Sequence, residues 1–420
     1  MRHFSPGLSV KCPKRLVIVG DRLFDGRGGI LVNPVVVVEG SSIVDVGTRG
    51  SVEVSGDYEL IELKGVTLLP GLIDVHVHFS GLRTYNPAEA LTTPPELRAL
   101  RAARDAERAL MSGFTTVRDC GSTIALHLRR AVSEGTIVGP TIVAAGRPIC
   151  QTGGHCDIHY LPIEEVRRLG LALLCDSPWE CRKAARVALR EGADFIKVMT
   201  SGGVGSEKDD PRHPQMSVEE VRAVVEEAHR VGKKVSSHAQ GAEGVKIAIL
   251  GGVDSVEHGY FLDEEAVELM LQQGVYYVPT LCLVEFYKKT LENPPPGIPE
   301  WRLRKQEMCI DAMPRSFLLA YRAGVKIAAG TDYYGPPLRA FGNHSDEPIA
   351  MVKYGMKPED ALIAVTKNAA ECLGLSNVGV LERGKVADIV GVLGDPITDI
   401  EVVRKAVFVM KGGNIVRRAV

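Results

Sequence analysis

The sequence predicts an α/β protein built around a (β/α)8 TIM barrel. Three observations point there. From residue 70 onward, short apolar runs alternate with helix-patterned stretches, giving eight units. The runs are rich in Val and Ile and read as strands buried on both faces, as in a parallel sheet. The polar residues they carry fall at their C-terminal ends, where barrel chemistry sits.

Each element follows from its local pattern. Helical periodicity is absent before residue 90. Leu16-Val17-Ile18-Val19, Val35-Val36-Val37-Val38 and Ile43-Val44-Asp45-Val46 read as strands, separated by Gly26-Arg27-Gly28-Gly29 and Glu39-Gly40-Ser41-Ser42 turns. This opening segment is a small β unit. Pro70 to His78 is the first barrel strand. Residues 95–111 read as a helix, 114–119 as strand two, 127–134 as a helix and 141–145 as strand three. Residues 178–191 form a helix and 194–199 strand four. Ser217 with Glu220 is a capping-box pattern that opens a helix to Arg230. Residues 235–238 are strand five, 243–250 a short helix, 253–258 strand six and 275–279 strand seven. A longer stretch to about residue 322 contains the Pro-rich loop 293–297. Val325 to Asp332 is strand eight.

Composition bounds the partners. The chain has 420 residues, enough for one large and one smaller domain. Charged residues are 24% and the formal net charge is −2, so no nucleic acid and no membrane surface is expected as partner. The start Met1-Arg2-His3-Phe4-Ser5-Pro6 lacks the apolar core of a signal peptide, and no apolar run is long enough to span a bilayer. Nine dispersed cysteines without CxxC spacing fit reduced thiols and a cytoplasmic location; Cys12, Cys175 and Cys181 pair only if the fold brings them together. The small β unit and the exposed barrel helices offer surfaces for a homo-oligomer.

The chemistry starts at His76 and His78. Strand side chains alternate, so both point the same way from a strand end and form a ready pair of metal ligands. The bland alternative is two histidines packed in a core, which burial without partners makes costly. Lys197 lies on strand four, His238 ends strand five, His258 ends strand six and Asp332 ends strand eight. Singly, His258 reads as a core histidine and Asp332 as a helix cap. Together they converge on one barrel mouth. An ammonium at Lys197, between Ile196 and Val198 and beside metal cations, is electrostatically unfavourable. Reaction with carbon dioxide turns it into a carbamate, which resembles a carboxylate and can bridge two metal ions. A Schiff-base lysine leaves the histidines unexplained, and a surface lysine does not fit the apolar neighbours.

The set His76-x-His78, Lys197, His238, His258 and Asp332 resembles the amidohydrolase superfamily over nearly the whole chain. Residues 366–374 and 379–390 look like that family's closing helix and its return into a β domain. Phe195 to Gly203, Asp254 to Gly259 and the loop Thr152-Gly153-Gly154-His155-Cys156-Asp157 resemble its metal-dependent dipeptidases, prolidase-like Xaa-Pro and Xaa-Arg enzymes, and the related ochratoxin amidohydrolases.

The resemblance implies a small discontinuous β-sandwich from residues 1–68 and 380–420, beside a barrel of residues 69–379. It implies two divalent metal ions. His76, His78 and Asp332 bind one, His238 and His258 the other, and carboxylated Lys197 and a hydroxide bridge them. Imidazole and oxygen ligands favour zinc, with manganese or cobalt as alternatives. Asp332 then serves as general base and acid. His155 either orients the scissile carbonyl or is a structural loop histidine.

The expected reaction is hydrolysis of an amide in a dipeptide or N-acyl amino acid. The alternatives are a cyclic-amide hydrolase or lactonase, and a non-catalytic metal-binding barrel. Where some relatives carry Tyr two residues after the strand-five histidine, this chain has Gln240. The substrate carboxylate is therefore expected to be held differently, by Arg212 or by backbone amides; the alternative for Arg212 and His213, in the polar loop 207–216, is a merely solvated loop. Gly202-Gly203-Val204-Gly205 is glycine-rich but is not read as a nucleotide site; Ser201-Gly202-Gly203 gives the backbone room near the metals. Arg302, Arg304 and Lys305 read as a solvated face.

Overall fold

The computed structural model describes residues 15–84, 89–169, 171–335 and 339–419. The opening residues, with Cys12, lie outside the described residues.

Two sheets draw on the chain's two ends. In the first, Leu16–Val19 pairs antiparallel with Pro34–Glu39 and parallel with Glu59–Glu62, and Ser42–Thr48 forms the edge. The second runs in the order Asn414–Arg418, Ala406–Lys411, Ile389–Leu393, Val66–Pro70, Arg22–Phe24 and Ile30–Val32. Their apolar side chains meet in one cluster, with Ile18, Val36 and Ile43 from the first sheet and Leu23, Leu68, Ile389 and Phe408 from the second. Val and Ile suit such half-buried pleated surfaces.

Val66–Pro70 passes through Gly71 into Leu72–Val77. A Cβ on Gly71 would lie 2.1 Å from Thr115 Oγ1, so this corner accepts only glycine. From here parallel strands alternate with helices. One arc orders Thr141–Ala144, Phe114–Asp119 and Leu72–Val77. The other orders Leu173–Leu174, Ile149–Cys150, Ile196–Met199, Val235–Gly241, Ser255–Phe261 and Tyr276–Val278. Among the described residues the arcs are two ladders, not one closed ladder. Single contacts join their edges. The Asp194 N–H donates to the Ala144 carbonyl at 2.8 Å. Isolated parallel bridges link Tyr277 with Ile327 and Val77 with Tyr333.

The predicted eighth strand is thus a pair of bridges rather than a regular strand. Asp332 sits at φ 58°, outside the extended region, and Gly330 is pressed against His76 and Val278. The second helix begins at Thr123, four residues before its predicted start, and runs to Ser133. The predicted capping box at Ser217 and Glu220 forms and opens Val218–Arg230. The stretch after residue 280 folds as three helices, Leu283–Glu292, Glu300–Ile310 and Ala312–Ala323.

Two expectations are corrected. Arg302, Arg304 and Lys305 are not one solvated face: Arg304 is exposed, but Lys305 is buried and Arg302 lines a cavity. Cys175 and Cys181 are joined in a disulfide, with Cα atoms 5.2 Å apart, because Cys181 lies in the first turn of Pro178–Arg190 and faces back toward Cys175. None of the described helices is long and apolar enough to cross a membrane.

Candidate active site

The ends of five strand positions deliver six side chains to one place. His76 and His78 come from the end of Leu72–Val77, Lys197 from Ile196–Met199, His238 from Val235–Gly241, His258 from Ser255–Phe261 and Asp332 from the bridged segment. All six line a cavity of about 200 Å³, with His155 and Gln240 in its wall. His76 Nε2 and His78 Nε2 lie 3.7 and 3.2 Å from Asp332 Oδ1, so the three offer converging donor atoms. Such spacing suits a cation whose bonds to N and O are about 2.0–2.2 Å. The His258 ring centroid stands 5.0 Å from His76 and 4.5 Å from His238.

Local backbone strain is concentrated here. Of the five described non-glycine residues with positive φ, three are His258, Thr280 and Asp332. Thr280 is β-branched, and φ 50° is unfavourable for it; its Oγ1 lies 3.0 Å from His258 Nδ1. Two of these residues, His258 and Asp332, line the cavity, and Thr280 holds the His258 ring.

Lys197 is almost fully buried, and its Nζ has no hydrogen-bond partner. A solitary buried ammonium among imidazoles is costly. Burial, with cationic neighbours, pushes the His238 and His258 imidazoles well below their ordinary range. Burial also lowers His76, to about 4, against the opposing pull of Glu257. The rings are thus held neutral, the form that ligates metal. Burial would raise the Asp332 carboxyl, but Arg339 and the neighbouring histidines hold it well below the carboxylate range. Arg339 Nη1 donates to Asp332 Oδ2 at 2.7 Å and to its carbonyl at 2.8 Å.

His155 stacks on His238 with centroids 4.0 Å apart. Its Nδ1 lies 2.7 Å from Ser206 Oγ, and its N–H donates to Gln215 Oε1 at 2.9 Å. Asp209 braces this loop, accepting from Ser206 Oγ at 2.6 Å and from Lys305 Nζ at 3.0 Å. Burial opposes its ionisation, yet the contacts with His155, Ser206 and Lys305 hold its carboxyl below the usual range. Lys305 also donates to the Gly203 and Ser206 carbonyls.

Arg212 is not among the cavity residues. It lies exposed and forms a two-pronged ion pair with Asp210, which satisfies its guanidinium on the surface. The arginines in the cavity wall are Arg302 and Arg339, joined by Tyr287 and Tyr334. An adjoining pocket of about 330 Å³ shares His78, His155, Gly205, Arg302 and Tyr334 with the cavity, and adds Leu82, Ile158, Tyr160 and Trp301. Sequence reasoning also missed Glu257 and Arg118. The signal was present: each is a charge inside an apolar strand, as Lys197 is, and buried charges demand partners. Arg302 and Tyr334 carried no such signal, because their surroundings are made by loops and helices.

The cavity gathers neutral imidazoles and a carboxylate that could hold a metal ion, and comparison with known proteins points to amide hydrolysis. The sequence model of the amidohydrolase family matches residues 67–416. The ochratoxinase of Aspergillus niger is 34% identical, over 96% of this chain and 86% of that protein. A Xaa-Pro dipeptidase crystallised with methionine in its active site is 36% identical, with a TM-score of 0.87 over 96% of this chain and 100% of that one. A prolidase complexed with N-methylphosphonate-L-proline is 33% identical, with a TM-score of 0.88 over 96% and 100% of the two chains.

Proposed function

We propose, from the premise that this chain belongs to the amidohydrolase family and is a hydrolase acting on amide bonds, that it is a binuclear metalloenzyme cleaving dipeptides or N-acyl amino acids. The observation that carries the reading is the buried Lys197 Nζ, without a hydrogen-bond partner in a cavity lined by five histidines and an aspartate. Carboxylation would replace that unpartnered ammonium with an anionic carbamate, whose two oxygens could serve both histidine sets. His76, His78 and Asp332 would hold one divalent ion, His238 and His258 the other, and Lys197 would join both. Nitrogen and oxygen donors favour zinc. Ions bound there supply Lewis acidity and an activated water. We infer the two parallel arcs to be a (β/α)8 barrel, with the terminal sheets as a sandwich from the described residues 15–68 and 380–419.

This chain's own residues then divide the work. Asp332 takes the proton from the attacking water and delivers it to the leaving amine. His155, braced by Ser206 and Gln215, donates a hydrogen bond toward the scissile carbonyl. Arg302 takes over the carboxylate role expected of Arg212, since it borders both the cavity and the adjoining pocket. The ligands of two solved relatives, methionine and an L-proline phosphonate, support an amino-acid product side. The test is elemental analysis of the purified chain together with a screen of dipeptides and N-acyl amino acids. About two metals per chain and hydrolysis of a subset are expected. Metal-loaded protein that cleaves no member of either library, or a density map showing a free ammonium at Lys197 with metals bound, would overturn the reading.

A further inference from the structure

Glu257 stands one residue before His258 in Ser255–Phe261, is fully buried, and has no part in the chemistry assigned above. Its two oxygens are used differently. Oε1 accepts from Arg118 Nη2 at 2.6 Å, Ser255 Oγ at 2.7 Å and Ser236 Oγ at 2.8 Å. Oε2 lies 2.7 Å from His76 Nδ1. Arg118 is itself buried and pinned, with Nε donating to the Val75 carbonyl at 2.6 Å. A guanidinium is always charged and has only donors, so at this depth it requires an anion, which Glu257 supplies. An ionised carboxylate only accepts hydrogen bonds. His76 Nδ1 must therefore be the protonated nitrogen, which leaves the Nε2 lone pair facing Asp332 and the cavity.

We propose that Glu257, held by Arg118, Ser236 and Ser255, is a positioning residue that fixes the tautomer of His76 and so presents its Nε2 as a metal ligand. This rests on the metal-site reading above. The alternative is an ion pair that merely ties the Phe114–Asp119 and Ser255–Phe261 strands together. The nearby grouping of His76, Cys120 and Glu257 is not a second metal site, because burial pushes the Cys120 thiol up to about 12 and Glu257 is consumed by Arg118.

The variant Glu257→Gln separates the two. It matches glutamate in size, but its amide has one oxygen and one NH2 group. Arg118, Ser236 and Ser255 all donate, so the oxygen turns toward them and the NH2 faces His76. His76 Nδ1 must then accept, the proton moves to Nε2, and the ligand lone pair is lost. The purified full-length protein is dialysed against graded chelator and its metal measured. The wild type should lose metal in one range. In the variant, one of the two metals should leave at a chelator concentration about 10- to 100-fold lower, the usual effect of losing such a partner. Metal retention equal to wild type, with only a lower Tm, would leave a purely structural ion pair and overturn the proposal. A wild type that holds no metal would instead sink the metal-site reading, and this proposal with it. If Glu257→Gln does not fold, Glu257→Asp decides: it keeps the charge but draws back from His76. One metal should then leave severalfold earlier, and unchanged retention would refute the proposal.

Discussion

The candidate site has two kinds of wall. One is made by strand ends: His76, Lys197, His238 and His258 are buried, and each histidine has a fixed partner in Glu257, Gly202 or Thr280. The other is made by loops and the Glu300–Ile310 helix: His155, Trp301, Arg302 and Tyr334 border the adjoining pocket and are partly open to solvent. On the proposed function, the difference separates reaction from recognition. Buried strand ends hold groups rigidly enough for metal and proton chemistry, while the loop wall can change without disturbing them. Substitutions should follow this division, with large losses from the first wall and modest, substrate-dependent losses from the second.

The largest effect is expected at Lys197. Lys197→Ala should reduce kcat/KM by about 10⁴-fold, since removing the proposed bridge would forfeit several kcal/mol of metal assistance. Short-chain carboxylic acids added to this variant should restore part of the rate by occupying the space of the carbamate. Activity close to wild type, with metal content unchanged, would break the comparison at its strongest point. Next comes Asp332→Asn, with a loss of about 10²- to 10⁴-fold in kcat, the usual contribution of a placed acid–base group. The KM should change far less.

Acid pH attacks the same wall. Protons compete with metal for imidazole, so activity should fall by more than tenfold on the acid side, in step with metal loss. Asp332, held well below the carboxylate range, stays ionised throughout that fall. Stability shares the direction. Burial lowers His76 from 6.5 to about 4, so between these values the unfolded chain binds a proton that the folded chain refuses. Stability is then lost as pH falls from about 6.5 to about 4. Parallel measurements of kcat/KM, bound metal and Tm against pH check this. A rate that drops while both metals remain bound would assign the acid limb to protonation of the activated water rather than to metal loss.

The same contrast explains what the sequence revealed. Strand-borne cavity residues declared themselves, because a polar residue at the end of an apolar run is costly unless it has a task, and alternation fixes its direction. Glu257 and Arg118 were legible by that rule and went unread. The eighth strand was harder, since a positive φ at Asp332 cannot be seen in residue types that favour extended backbone. Arg302 and Lys305 read as a solvated face because a helix three residues from a Pro-rich loop gives no hint of what folds over it. Lys305 is buried only because Gly203, Ser206 and Asp209, about a hundred residues earlier, close on its Nζ. Arg212 misled in the opposite way: a loop arginine looks available, but Asp210 two residues before it takes its charge.

On the recognition wall, Arg302 should matter through the substrate carboxylate. An N-acyl amino acid should react with a kcat/KM about tenfold above that of its C-terminal amide, the size of one charge-assisted hydrogen bond. Arg302→Met should erase most of that ratio while sparing the amide. Equal rates for acid and amide in the wild type would remove the exopeptidase reading, leave the metal site standing and bring the cyclic-amide or lactone alternative forward.

The smallest effect is expected at Trp301. Its indole lines the adjoining pocket together with Leu82 and Ile158, and is absent from the lining of the histidine cavity. It touches no group assigned to proton transfer, so its loss should not slow the chemical step. What it offers is a flat apolar face for the part of the substrate lying beyond the scissile bond. Such a contact contributes about 0.5–1.5 kcal/mol, which corresponds to a change of about threefold to tenfold. Trp301→Ala should therefore raise KM about threefold for substrates with an aromatic group on that side, and leave kcat and bound metal as in the wild type. Substrates with only a small acyl group there should be unaffected, because they do not reach the indole. A fall in kcat of the same size for both substrate types would mean that this wall also positions the reacting atoms, and the division between the two walls would fail at its outer edge.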